Sequence, residues 1–379
     1  MFEQTFDFIR QHFGNQSSIP LHEPTFSGNE KKYLTECIDS TFVSSVGIFV
    51  DKFEQAVADF VGSNHAIAVV NGTQALFVAL KSLEVDPSCE VLTQSLTFVA
   101  TANAIHYTGA APVFLDVDRE TMGLSPLAVE KFLQQHTELR DGRRVNKTSG
   151  RTIAACLPMH TCGHPSRIEE LRALCAEYKI PLVEDAAESL GSYVGTKHTG
   201  SFGQIGIFSF NGNKVVTTGG GGMLVTDDNG LAQKLRHLTT TAKVPHPWEF
   251  IHDEIGYNFR LPNINAALGL AQMEQLPLFL KNKRELAKSY REFFDGSEIL
   301  YLDEPAGSQS NFWLNTILLP TEEQKEAFLK QANQQGIGAR SLWRPMHLLD
   351  VYHHCQRDAQ TNTEQIYRHA VNIPSSVRL

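Results

Sequence analysis

Two side chains and one turn stand apart by type and surroundings: Lys214, Asp185 and Gly72-Thr73-Gln74. Lys214 lies in "IFSFNGNKVVTTGGGGMLVTDD" (207–228), after a strand-like run and before four consecutive glycines, Gly219 to Gly222. Its nearest charged neighbours along the chain are Lys197 and Asp227. A surface lysine on a hairpin is the ordinary reading of such a residue. A lysine in a partly desolvated pocket is instead a nucleophilic amine, which carbonyl chemistry requires. The glycines would let backbone come close to it.

Asp185 follows Glu184 at the end of an apolar run, in "LVEDAAESLGS". An acid there commonly caps a helix or pairs with a base. A carboxylate ending a buried strand otherwise needs a cation or takes up a proton; a cofactor with a ring N–H⁺ would be such a cation. "VVNGTQAL" puts Gly72, Thr73 and Gln74 at a strand-to-helix turn, where free N–H groups and the helix dipole favour an anion. A plain threonine N-cap is the alternative. No GxGxxG occupies this turn and no GxxxxGK[ST] occurs in the chain, so dinucleotide and P-loop readings lose their support. An anion cradle, a buried acid and an isolated lysine, in that order, suit pyridoxal 5′-phosphate (PLP). The cradle would take the phosphate, Asp185 would keep the ring nitrogen protonated, and Lys214 would bond to the aldehyde and move protons.

These groups need a scaffold that brings residues 72, 185 and 214 together. From residue 65 to 228 strand-like and helix-like runs alternate: "HAIAVV", "QALFVALKSL", "EVLTQ", "FVATANAIHYTG", "APVFLDVD", "SPLAVEKFLQQH", "TIAACLPM" and "IPLVED". Ser125 and Pro126 mark a helix start, and Ser166 with Glu169 reads as a capping box. Strand, helix, strand with apolar strands predicts parallel pairing, hence an α/β sheet covered by helices on both faces. "VPHPW" breaks the pattern near residue 245. Two helix-like runs follow, "NINAALGLAQMEQL" and "LFLKNKRELAKSYREFF", then a strand–helix–strand end that predicts a smaller α+β domain.

The bulk numbers are consistent with such an enzyme. The chain has 379 residues, 42% hydrophobic, with a net charge of −9, which speaks against a nucleic-acid partner. The basic stretch "LRDGRRVNKTSGR" (139–151) reads as a solvated loop, with a nucleotide-sugar contact as the alternative. Six scattered cysteines match no zinc spacing, so no metal site is expected. No run is long and apolar enough to span a membrane, and the acidic opening is no signal peptide, so a cytoplasmic protein is expected.

Several longer stretches resemble the DegT/DnrJ/StrS family of PLP-dependent nucleotide-sugar aminotransferases: "NGTQAL", "LTFVATANAI", "EDAAESLGS", "GSFGQIGIFSFNGNKVVTTGGGGM" and "GYNFRLPNINAALGLAQ". The opening "IPLHEPTFSGNEKKYL" is similar to the LegC-like branch, which acts on UDP-linked 4-keto-6-deoxy-N-acetylhexosamines. The resemblance implies the aspartate-aminotransferase (type I PLP) fold, with a large domain (25–245), a small domain (246–379) and an N-terminal segment (1–24) packed on the latter. It implies Lys214 as the lysine that binds the cofactor aldehyde, Asp185 at the pyridine nitrogen, and Gly72, Thr73, Gln74 and Ser209 around the phosphate. Phe98 would stack on the ring, although a core aromatic fits its context equally. Asn258 would reach the phosphate of a neighbouring subunit in a homodimer with shared sites. Glu188 stands where many relatives carry glutamine facing the ring hydroxyl, and a carboxylate cannot donate as an amide does. His160 is a candidate on the substrate side or a structural histidine; Arg340, Trp343 and His347 are weaker candidates for the sugar pocket.

The implied reaction is amine transfer from L-glutamate to the 4-keto carbon of a UDP-linked 4-keto-6-deoxy-N-acetylhexosamine, with the cofactor alternating between PLP and its amine form. A sugar dehydratase of the same fold would carry histidine in place of Lys214. A PLP-binding regulator would need an output module, and none is visible.

Overall fold

The computed structural model describes residues 2–14 and 16–379. Three helices lead in: α1 (Glu3–Phe13), α2 (Glu30–Asp39) and α3 (Ile48–Val61). The alternating part follows as β1 (His65–Val69), α4 (Gly72–Ser82), β2 (Cys89–Gln94), α5 (Val99–Tyr107), β3 (Ala111–Leu115) and α6 (Pro126–His136). It continues through β4 (Thr137–Arg140), β5 (Arg143–Asn146), β6 (Thr152–Leu157), α7 (Ile168–Tyr178) and β7 (Val183–Asp185). Then come β8 (Ile205–Ser209), β9 (Gly222–Thr226) and α8 (Asn229–Thr239). The remaining principal elements are α9 (Asn263–Phe294), β10 (Leu300–Leu302), β11 (Asn315–Leu318), α10 (Glu322–Gln334), β12 (Arg340–Ser341), α11 (Thr361–His369) and β13 (Ala370–Ile373).

The main sheet runs β3-β2-β6-β7-β8-β9-β1. β3, β2 and β6 pair in parallel, as do β7 and β8, and parallel bridges at Cys156↔Leu182 and Met159↔Asp185 join β6 to β7. Of these seven strands only β9 runs against its neighbours, β8 and β1, and β5 adds to β6 antiparallel at Val145↔Thr152. Every residue of β2 is buried, and successive residues enter opposite cores: Val91 packs with α4, α5 and α8, Leu92 with α6 and α7. Helices therefore cover both faces, as apolar parallel strands demand. A second sheet, β10-β11-β13-β12, is wholly antiparallel. On it pack Phe6 and Ile9 of α1, Phe328 of α10, and Leu286, Tyr290 and Phe294 of α9.

The structure corrects three expectations of local structure. The two helices expected after residue 262 are one, α9, of 32 residues with Pro277 inside it. An interior proline costs about 3 kcal/mol. Burial of Met273, Leu276 and Phe279 on either side of it offsets that cost. Ser166 does not cap α7: Arg167 holds the N-cap position without a side-chain bond, and Ser166 gives its backbone N–H to His160 Nδ1 at 3.0 Å. The basic stretch is a hairpin, β4 and β5, not a loop, turning at Asp141 (φ 50°) and Gly142 (φ 78°). Asp-Gly is a strong hairpin signal, set here among charged residues that also suit a solvated loop. The start of α6 is as read, with Ser125 Oγ accepting from the Ala128 N–H. All six cysteines are free and buried, and among the described residues no helix is long and apolar enough to cross a membrane.

Candidate active site

Strands β2, β6, β7 and β8 point their carboxyl ends the same way, and the chemistry-bearing side chains gather beyond those ends. β8 stops at Ser209, and the turn that leads back into β9 carries Lys214. The Lys214 side chain is 13% exposed. Its Nζ lies 3.2 Å from Glu188 Oε1 and 3.9 Å from the centre of the Trp313 ring. Trp313 belongs to the segment before β11, yet its indole N–H reaches back to the Asn213 carbonyl at 2.7 Å. The amine is thus held between a carboxylate and an aromatic face in a pocket largely closed to water.

Glu188 is buried, and its second oxygen, Oε2, accepts the Cys162 N–H at 2.9 Å. Cys162 has φ 58°, a left-handed conformation that costs a side-chain-bearing residue about 1–2 kcal/mol. Burial pushes the Glu188 carboxyl up to about 7, against the opposing pull of Lys214 and the Cys162 N–H. The carboxyl of this pair is therefore poised to exchange a proton near neutrality.

Asp185 closes β7 and sits opposite Ile207 of β8. Its Oδ2 accepts the Thr101 hydroxyl at 2.7 Å and its Oδ1 the Ala187 N–H at 3.2 Å. Thr97 continues the chain, its hydroxyl 2.8 Å from that of Thr101. Burial raises the Asp185 carboxyl despite these donors and Lys214. Neither hydrogen-bonding partner is a cation, so a ring N–H⁺ would complete the arrangement. Glu184, the neighbouring acid, is structural: it accepts the N–H groups of Gly200, Phe202 and Gly203 and bonds His160 Nε2 at 3.1 Å.

The third component is the start of α4. Asn71, not Thr73, is the N-cap; its Oδ1 accepts the Gln74 N–H at 2.8 Å. That leaves the first two helical N–H groups, of Gly72 and Thr73, directed outward beside Ser209. A side chain at 72 would place its Cβ 3.0 Å from Ser209 Cβ, so glycine keeps the hydroxyl and the helix start together. Beneath them, β9 passes so close that a Cβ at Gly222 would lie 2.5 Å from the Asn71 carbonyl. Gly219 has φ 80°, whereas a Cβ at Gly220 would meet no atom nearer than 3.9 Å, so the four glycines are not equivalent. An outward helix start, a neighbouring hydroxyl, an unneutralised buried acid and an amine fit PLP.

The remaining candidates lie around this centre. Phe98 is 48% exposed at the start of α5 and meets Trp343 edge-on, ring centres 6.2 Å apart. Asn258 is exposed, on a segment that bridges Thr240 and hydrogen-bonds Val70 just past β1 through the Phe259 carbonyl. His160 has both ring nitrogens engaged, with Ser166 and Glu184, which makes it a structural histidine. His347 Nδ1 lies 2.7 Å from Ser95 Oγ. Arg340 lines a cavity on the far side of Asn213 and Trp313. Sequence reasoning missed Asn71, Thr101, Cys162 and Trp313. The asparagine before a helix was a readable cap signal. Trp313 lies far along the chain from Lys214 and carried no local sign of its role.

Fold and site together define a PLP-dependent aminotransferase. The chain belongs to the DegT/DnrJ/EryC1/StrS aminotransferase family, whose model matches residues 24–379. It is 36% identical over 364 residues to EpsN of Bacillus subtilis (strain 168), named for pyridoxal phosphate-dependent aminotransferase activity; the match covers 94% of this chain and 90% of that one. It is 36% identical over 357 residues to the GDP-perosamine synthase of Escherichia coli O157:H7, covering 94% and 93%. Among solved structures it resembles Helicobacter pylori PseC, an aminotransferase involved in the biosynthesis of pseudoaminic acid. The TM-score is 0.85 at 25% identity, covering 94% of this chain and 93% of that one.

Proposed function

We propose that this enzyme moves an amino group from L-glutamate to the 4-keto carbon of a nucleotide-linked 4-keto-6-deoxyhexose, and that the sugar is UDP-linked and N-acetylated. The observation that carries the transfer is the Lys214 amine held 3.2 Å from Glu188, with Asp185 buried at the neighbouring strand end. When bound, PLP supplies an aldehyde for the amine and a ring that accepts electrons. Lys214 Nζ would take the proton from the donor's α-carbon and pass it to the cofactor carbon that receives the amine, and in the second half it would carry a proton from there to C4 of the sugar. Glu188 Oε1 orients that amine and holds a proton beside it. Asp185 keeps the ring nitrogen charged, and Thr101 and Ala187 fix the carboxylate in place. Gly72, Thr73, Gln74 and Ser209 orient the phosphate, while Phe98 shields one ring face from water.

The same reading includes a homodimer in which Asn258 of the partner subunit completes the phosphate site. Trp248, Phe250 and Ile255 support it: they are 79%, 80% and 84% exposed in the stretch leading to Asn258, a place where a second copy would cover them. The likeness of the opening stretch to the LegC-like branch supports the UDP sugar. The identity to GDP-perosamine synthases favours a GDP-linked sugar as the second reading.

The test is amine transfer from glutamate to UDP-, GDP- and dTDP-linked 4-keto-6-deoxy sugars, with products read by NMR. The expected product is a 4-amino UDP-N-acetyl sugar, and Lys214→Ala should make none. Turnover by that variant ends the mechanism; an amino sugar from the GDP substrate alone ends the UDP assignment.

A further inference from the structure

Beside the Lys214 turn lies a cavity of about 360 Å³. One wall is the chain between α1 and α2, residues 18–22; the others come from Asn213, Trp313, Gly338 and Arg340. The strap is pinned on two sides. Ile19 donates to the Gly336 carbonyl at 2.8 Å and accepts from the Gly338 N–H at 2.7 Å. The Leu21 carbonyl accepts the Ser375 N–H at 2.7 Å, and the Glu23 N–H goes to Ser376 Oγ at 2.9 Å. Both glycines are needed: a Cβ at 336 would lie 2.2 Å from the Ser17 carbonyl oxygen, and one at 338 would lie 2.6 Å from the Leu21 nitrogen.

This fastening fixes His22 by its backbone and leaves its side chain unsatisfied. Both ring nitrogens are buried without a hydrogen-bond partner, a state that buried polar atoms rarely keep unless a ligand or water meets them. Burial above all lowers the imidazole's proton affinity, with Lys283 and Lys214 adding to this when charged, so the neutral ring offers one donor and one acceptor. The Asn213 carbonyl beside the ring pulls the other way but lies outside hydrogen-bond geometry. Among the described residues the Arg340 side chain has no ion pair or hydrogen bond, and no carboxylate lines the cavity. Trp313 and Asn213, bonded to each other, form the wall shared with the site of Lys214.

We propose that this cavity is the carboxylate-binding subsite for the amino donor, with His22 and Arg340 as its recognition groups. Arg340 supplies the planar, charged fork that suits a carboxylate, and His22 adds a neutral N–H from the fixed strap. The volume is at the small end of ligand sites, about 300–1,000 Å³, a scale for an amino acid rather than a whole nucleotide sugar. This rests on the glutamate-transaminase reading. The diphosphate of the sugar nucleotide is the competing oxyanion.

The test uses the holoenzyme, with Arg340→Gln, an exposed position, and His22→Ala, where the strap's backbone bonds remain. Glutarate, a dicarboxylate without an amine, is titrated by calorimetry. The two half-reactions, with glutamate and with the ketosugar, are followed separately at the cofactor absorption band. Loss of a charged hydrogen bond should weaken glutarate binding by about tenfold or more and raise the half-saturating glutamate concentration similarly, far beyond any change in the ketosugar constant. If the variants weaken UDP and the ketosugar instead, the cavity holds the diphosphate and the proposal falls. It falls too if wild type does not bind glutarate, or if neither variant changes its affinity. Should wild type aminate no ketosugar while both variants lose glutarate, the subsite stands and the sugar reading fails.

Discussion

Lys214 Nζ and Glu188 Oε1 lie 3.2 Å apart, and burial pushes that carboxyl up to about 7. A glutamine at 188 would keep a hydrogen-bonding group there but could not titrate. Glu188→Gln should therefore remove a limb near pH 7 from the pH profile of glutamate half-reaction rates. The stability consequence has a definite sign. Between about 4.5, the ordinary glutamate value, and 7 the folded chain binds the extra proton, so wild type should lose stability relative to the variant as pH rises through that window. Denaturant titrations at pH 4.5 and 7.5 check this; a constant difference would show that the carboxyl does not titrate there.

Asp185 meets a hydroxyl and an N–H but has no cation in hydrogen-bond reach. Asp185→Asn should lose most of the charge pairing with a protonated ring, weakening PLP retention and slowing transfer by about a hundredfold, on the scale of about 2–5 kcal/mol for a broken buried pair. Equilibrium dialysis against free PLP reads the first effect. Wild-type retention would mean that Asp185 does not face the ring nitrogen.

Gly222 and Gly220 make a matched pair of substitutions. A methyl at 222 must push the Asn71–Gly72 turn away, whereas one at 220 has its nearest neighbour at 3.9 Å. Gly222→Ala should cost about 1–3 kcal/mol and weaken phosphate anchoring, with Gly220→Ala close to neutral in stability. Thermal melts and PLP affinity measured on both proteins test the contrast.

Lys283, buried inside α9, donates to the Trp313 carbonyl at 3.2 Å and the Ser375 carbonyl at 2.5 Å. Burial pulls its amine down to about 7. Between that value and about 10.5 the unfolded chain holds a proton the folded chain lacks, so stability should rise with pH across the window. Lys283→Met should flatten that rise. Chemical denaturation from pH 7 to 10 reads it, and identical slopes in both proteins would refute the assignment.

The alternating pattern from residue 65 onward was legible because apolar strands and amphipathic helices have different periods, and Lys214 was legible because its surroundings lack charge. Trp313, Cys162 and His22 were not, since each gains its role from a segment far away in sequence. Ser166 shows the opposite failure: its local pattern is a valid cap signal, but a buried histidine competes for the same groups and wins. Pro277 shows another, in which tertiary burial overrides a local helix breaker. At Asp141-Gly142 the hairpin signal is local but sits inside a run of arginines whose charge reads equally as a solvated loop.

Helix α9 is about 48 Å long at 1.5 Å per residue and contributes to two cores, with Ala266 and Phe279 in one and Leu286 and Phe294 in the other. It acts as a shared tie beam. Severing the chain ahead of residue 263 would strip one half of its packing surface and leave the other with an unclad rod. Chimaeras that exchange one lobe between relatives must therefore carry this beam, and the residues that clad it at both ends, as a single inheritance.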